Sequence, residues 1–217
     1  MTYRLIRILF LLPVVLISLP FHEAAHAYAA YKLGDPTAYN NGRLTLNPLK
    51  HLDPVGVICL LFGGFGWAKP VPVNYYNFRN PKKGFALTAL AGPISNLILA
   101  AISLILLIVC KILIPNFGWN FYLQGNTLSL FNYILYNLLL NFTVSNIMLA
   151  VFNLIPIPPL DGSRLLAWLL PNSISDILFR YERYIHIALL ALIVLGAFDV
   201  PLGLIQSGVI ALINLIV

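Results

Sequence analysis

Charge is scarce in this sequence. Asp, Glu, Lys and Arg make up 9% of its 217 residues, against 60% hydrophobic residues. Soluble domains carry about a quarter charged residues, so the chain has too little polar surface to cover a water-soluble globule, and its solvent must be lipid. A chain of this length holds a handful of spans and short connections, with no large soluble domain. Cysteine is nearly absent. Cys59 and Cys110 stand in apolar runs without CxxC spacing, and read as small buried hydrophobes rather than a disulfide or thiolate ligands. The net charge of +6 forms no basic face, which argues against a nucleic-acid partner. The cations fall between apolar runs, where Lys and Arg set topology.

The apolar runs give the organisation. The first, about residues 6–31, is long enough to cross roughly 30 Å of hydrocarbon at about 1.5 Å per residue. Arg4 and Arg7 before it resemble a signal peptide, but the run continues through His22, Glu23 and His26, and is expected to be a retained span. Residues 32–83 are rich in Gly, Pro, Asn and cations. They contain a short apolar run over 55–65, too short for a helical crossing and expected to be a re-entrant or interfacial loop. A short strand is expected around Val71, Val73 and Tyr75. Further spans are expected over 84–114 and 128–155, then a Pro-rich break, a short helix over 163–170 and a charged connection. The last apolar region, 184–217, interrupted at Asp199-Val200-Pro201, fits either one span with a short return or two half-length helices.

Seven of the 13 Lys and Arg lie in 32–83, three more are Arg164, Arg180 and Arg183, and the loop 115–126 has none. The positive-inside rule therefore puts 115–126 outside, and His22, His26 and Asp161 toward the cytoplasm.

His22-Glu23-Ala24-Ala25-His26 is an HExxH sequence. Four residues at about 3.6 per turn bring both imidazoles onto one helix face, within reach of one tetrahedral metal. Glu23 points about 100° away, placed to act on a water without ligating. Two histidines and a carboxylate are costly to bury in a membrane helix unless they bind something. For the third ligand Asp161 is favoured, because it follows a Pro-broken span whose unwound backbone can turn a carboxylate inward. Its rival is Glu182, with His186 one helical turn on. Asn96 can present an amide N–H to a developing oxyanion. Asn132, Asn137, Asn141 and Asn146 read as hydrogen-bonding glue between helices. Gly63 and Gly64 mark a segment, 55–74, expected to pair with an unwound substrate strand.

HEAAH in the first span, Gly92-Pro93-Ile94-Ser95-Asn96 in the second and Asn153 to Gly162 after the third follow the order HExxH, GxxxN, NxxPxxxxDG. This ordered triplet resembles the site-2 protease family of intramembrane zinc metalloproteases across about residues 6–165. The stretch from Gly63 to Asn74 looks like that family's short bacterial and archaeal branch. The chain differs from longer members in having no span before the HExxH helix, no PDZ-like insertion and no nucleotide-sensing CBS domain. The resemblance implies one Zn²⁺ held by His22, His26 and Asp161, Glu23 as general base, Asn96 on the oxyanion, and Asn153 at the substrate backbone or in site architecture. It also implies transmembrane protein substrates and regulated intramembrane proteolysis in a prokaryotic cell membrane. The expected fold is one all-α polytopic membrane domain over 1–217, with a three-helix catalytic core, a re-entrant loop and C-terminal helices over 163–217, about four to six membrane segments in all. The alternative is a catalytically silent membrane protein that binds zinc for structure or transport.

Overall fold

The computed structural model describes residues 10–63, 66–114, 117–118 and 127–216. Ten α-helices are described: α1 (Leu19–Lys32), α2 (Thr37–Asn40), α3 (Pro48–His51), α4 (Pro54–Gly63), α5 (Pro81–Leu113), α6 (Thr127–Asn153), α7 (Asp161–Leu169), α8 (Asn172–Arg180), α9 (Glu182–Val194) and α10 (Asp199–Ile216). No strand occurs among the described residues. Four helices are long and apolar enough to cross a membrane: Phe10–Lys32, Pro81–Leu113, Leu130–Asn153 and Asp199–Ile216. The architecture is that of an all-α polytopic membrane protein.

The first span is not a uniform helix. Pro20 has no N–H for the carbonyl of Leu16, and the chain answers with a π-helical turn, Val14–Ser18, in which the Leu19 N–H reaches back to Val14. Such turns relieve a broken i→i−4 ladder. The second span starts before Gly84, because Asn80 caps it by accepting from the Lys83 N–H and Pro81 takes the first helical position, a pairing suited to a helix start.

α5 is the central post, with α1, α6 and α7 packed against it. At the end of the bundle away from the HExxH turn, Leu107 of α5, Tyr136 and Val144 of α6, Ile213 of α10 and Phe117 form a hydrophobic core. α10 otherwise lies at the periphery, with only 6% of its apolar window buried, the burial expected of a helix whose outer surface meets lipid.

Several expectations change. The run over 55–65 is mostly helix, Pro54–Gly63; its ten residues span about 15 Å, half the hydrocarbon thickness, and do not cross. Gly64 lies outside the described residues. The expected strand is an extended segment with a single antiparallel bridge, Leu52 to Ala68, followed by a 3-10 turn, Tyr75–Asn77. Pro70 and Pro72 explain this, since a residue without N–H cannot extend a ladder. The charged connection after α7 is a helix, α8, and the C-terminal region forms two helices, α9 and α10, with α10 long enough to span. Four asparagines of α6 act within that helix. Asn137, Asn141, Asn146 and Asn153 each donate Nδ2–H to the carbonyl four residues earlier, at 2.7–2.9 Å. Between α5 and α6 a bond runs from Ser103 Oγ to the Leu139 carbonyl, 3.0 Å. Cys59 and Cys110 are free thiols, half-buried rather than fully buried.

Asp35, just past α1, holds the connecting region to that helix. Its fully buried carboxylate accepts from the Thr37 N–H at 3.0 Å, the Asn74 N–H at 2.7 Å and Asn77 Nδ2 at 2.7 Å. Burial alone would push this carboxyl up, but the bonds from Thr37, Asn77 and Asn74 outweigh it and hold it below the usual carboxylate range.

Asp35→Asn leaves buried donors facing an amide and should destabilise the protein by about 2–4 kcal/mol near neutral pH. A depressed folded pKa means that this stabilisation is complete above the unfolded value of about 4 and is lost as pH falls through the folded value. Melting in detergent should therefore show a constant wild-type advantage above about pH 5 that shrinks below about pH 4. Equal melting temperatures at neutral pH would contradict this.

Candidate metal centre

α1 delivers His22 and His26 to α5, and the side chains of α5 are spaced to receive them. Thr88, Gly92 and Asn96 recur every four residues, so they share one helix face. His26 donates from Nδ1 to the Thr88 carbonyl at 2.8 Å, and His22 donates from Nδ1 to Asn96 Oδ1 at 3.1 Å. Gly92 lies between these contacts. A Cβ there would fall 2.5 Å from Cε1 of both imidazoles and from His26 Nε2, so only glycine lets both rings approach the helix this closely.

With both Nδ1 atoms occupied as donors, each Nε2 presents a lone pair. The two Nε2 atoms are 3.0 Å apart. Asp161 joins them, Oδ2 at 3.2 Å from His22 Nε2 and Oδ1 at 3.4 Å from His26 Nε2, and its Oδ2 is buried without a hydrogen bond. Two imidazole lone pairs and a carboxylate converging on one buried point repel one another unless a cation lies between them. His22, His26 and Asp161 thus form a group fit to hold a metal, their ligand atoms all within 4.8 Å of one another. The outer hydrogen bonds at Asn96 and Thr88 orient the rings as second partners do in metal sites.

The Pro-rich break over 154–160 puts Asp161 there. After the last turn of α6 the chain folds back so closely that a Cβ at Gly162 would fall 2.1 Å from the Leu154 carbonyl oxygen. Glycine after Asp161 is therefore a packing requirement, and the turn sets the carboxylate at the start of α7, under the imidazoles. Glu182, the rival ligand, is occupied elsewhere. It accepts from both terminal nitrogens of Arg164, whose guanidinium stacks between Phe85 and Phe179 at 5.0 and 4.9 Å.

A cavity of about 640 Å³ opens beside the ligands, bordered by Glu23, Asn153, Arg164 and His186 and by Trp67, Val71 and Val73 of the extended segment. Asn96 borders a smaller adjoining cavity of about 200 Å³, with Glu23 and Asn153 again in its wall. Glu23 accepts from the Val71 N–H at its Oε2, 3.0 Å. Gly63 ends α4. His51 and Asp53 are structural: His51 is fully buried and donates from Nε2 to the Thr45 carbonyl at 2.7 Å, and Asp53 accepts from the Gly56 N–H at 2.9 Å. The carbonyl of Thr88 and the amide of Val71 are absent from the residues read from the sequence, while His186, weighed there with Glu182, borders the cavity. The four-residue spacing of Thr88, Gly92 and Asn96 is a signal that could have revealed the first.

Gly92→Ala should lower metal affinity at least about 100-fold with helix content unchanged, and Asn96→Ala about 10- to 100-fold. Metal titration against circular dichroism checks both. Wild-type affinity in Gly92→Ala would mean that the imidazoles do not rest on α5.

The family model for Peptidase family M50 matches residues 10–196. The chain is 43% identical over 195 residues to "Putative zinc metalloprotease YwhC" of Bacillus subtilis, covering 89% of this chain and 82% of that protein. It is 32% identical over 149 residues to "Putative zinc metalloprotease MJ0611" of Methanocaldococcus jannaschii, covering 68% and 64%, and 34% identical over 94 residues to "Putative zinc metalloprotease Rip2" of Mycolicibacterium smegmatis, covering 41% and 36%. No solved structure matches the chain significantly. The matched region takes in both imidazoles, Asp161 and the α5 face beneath them, and the chain therefore belongs to peptidase family M50, the site-2 protease family.

Proposed function

We propose that the protein hydrolyses peptide bonds within or near transmembrane segments of membrane-protein substrates, with one zinc ion held by His22, His26 and Asp161. The observation that carries this reading is the carboxylate of Glu23 on the cavity wall, one residue from a ligand. A structural metal site is closed and needs neither a base nor an adjoining cavity of substrate size. A transporter would need a polar path through the bilayer, whereas the His22, His26 and Asp161 group forms one compact site beside a cavity.

Zinc, when bound, supplies Lewis acidity to the site. The remaining work falls to the chain. Glu23 takes a proton from the attacking water and returns it to the leaving amine as the C–N bond breaks. Asn96 has its Oδ1 on His22, so its Nδ2–H remains for the oxyanion in this reading. Asn153, in the wall of both cavities, lies where a substrate backbone would pass. A helical substrate hides its carbonyls in hydrogen bonds and must unwind before cleavage. The segment 66–73 alongside the cavity supports an extended substrate path there, and a substrate role for Gly63 and Gly64 is part of the same proposal. The excess of Lys and Arg in 32–83 and 161–183 supports a cytoplasm-facing site in a prokaryotic cell membrane, and regulated intramembrane proteolysis as the process served.

Glu23→Gln should retain stoichiometric zinc and lose about 10²- to 10⁴-fold in cleavage of a model transmembrane substrate. Undiminished cleavage would remove Glu23 from the mechanism, and loss of zinc would make it part of the metal site instead.

A further inference from the structure

We infer that the segment Pro70-Val71-Pro72 is a backbone clamp that positions the Glu23 carboxylate for proton transfer. The inference rests on the reading of Glu23 as the base.

The bond itself is the Val71 N–H to Glu23 Oε2, 3.0 Å. Its sequence setting makes it specific. Pro70 and Pro72 have no N–H, so Val71 carries the one amide hydrogen between Lys69 and Val73. A proline on each side also restricts Val71, the one before it by its fixed φ and the one after it by excluding the helical region. The segment therefore presents a single donor on a stiff, extended backbone, and that donor points at the base.

Both ends of the segment are fastened. On one side the Lys69 N–H donates to the His51 carbonyl at 2.7 Å, and the Lys69 carbonyl accepts from Arg43 Nη2 at 2.6 Å. On the other, the Asn74 N–H donates to Asp35 Oδ2 at 2.7 Å. Asp35 directly follows the helix that carries Glu23. One end of the clamp is thus fastened just beyond the helix that carries its target, and the other to His51 and Arg43 of the connecting region.

The gain is in orientation. A glutamate side chain has three rotatable bonds, and ordering it costs rotamer freedom. A preformed amide donor supplies that order before substrate arrives. It occupies one carboxylate oxygen and leaves the other for the proton. It also means that Val71 has no amide to offer a substrate strand, so substrate pairing along 66–73 must use other groups.

If the contact only anchored the loop, removing it would loosen the segment without a selective effect on turnover. Val71→Pro deletes the amide hydrogen in an already proline-flanked backbone, and Val71→Ala keeps it. Val71→Pro should hold zinc and, against Val71→Ala as its reference, keep KM within about 3-fold while kcat falls about 10- to 100-fold. A second measurement needs neither turnover nor metal. In the zinc-free protein, amide hydrogen exchange at Val71 should be at least about 10-fold faster in Glu23→Ala than in wild type. Exchange at Val71 unaffected by Glu23→Ala, or wild-type kcat in zinc-loaded Val71→Pro, overturns the clamp. If Val71→Pro fails to fold, the exchange comparison alone decides. Failure of the base assignment is read separately, as normal cleavage by Glu23→Gln.

Discussion

The structure depends on one contact, the imidazole face of α1 laid against the glycine face of α5. A membrane helix carrying HExxH has three costly polar groups to satisfy away from water. α5 satisfies two of them by a carbonyl at Thr88 and an amide oxygen at Asn96, and Gly92 brings the helices close enough for those bonds to form. The consequence is chemical as well as structural. Fixing both Nδ1 atoms as donors turns both Nε2 lone pairs toward one point, and the Asp161 carboxylate completes an electron-rich hollow.

The connecting region between the first and second spans serves the same helix from its other side. Asp35 and Arg43 are both buried, and their bonds run to residues 69, 74 and 77. A buried charge in contact with loop backbone is stable only when its donors or acceptors are met, and here the loop meets them. The stretch beside the cavity is therefore a fixed wall with its own hydrogen bonds, and the Val71 amide belongs to that scaffold. Arg164 performs a comparable task on the far wall, joining α7 to α9 through Glu182 and stacking on the aromatic rings of α5 and α8.

Asn137, Asn141, Asn146 and Asn153 of α6 show how a membrane helix can satisfy polar side chains without using them between helices. Each folds back on its own ladder four residues earlier, a bond that any helix offers an amide side chain. Asn146 does so at full burial with its Oδ1 left without a partner.

Much was legible in the sequence because apolar length and metal-ligand spacing are local properties. The lack of charge determined lipid as solvent, the run lengths determined the principal spans, and HExxH placed two imidazoles and a carboxylate on one helix by its period alone. Asp161 could be favoured because a proline break inside a membrane must line a cavity. Tertiary structure decided the rest, because the remaining choices turn on what comes within 3 Å across elements. Whether Glu182 or Asp161 meets the imidazoles depended on Arg164, 18 residues from Glu182 in sequence, having already taken the former. The amide of Val71 reaches Glu23 across 48 residues. No periodicity carries such a contact, since it exists only once the loop has been fastened to both ends of its frame.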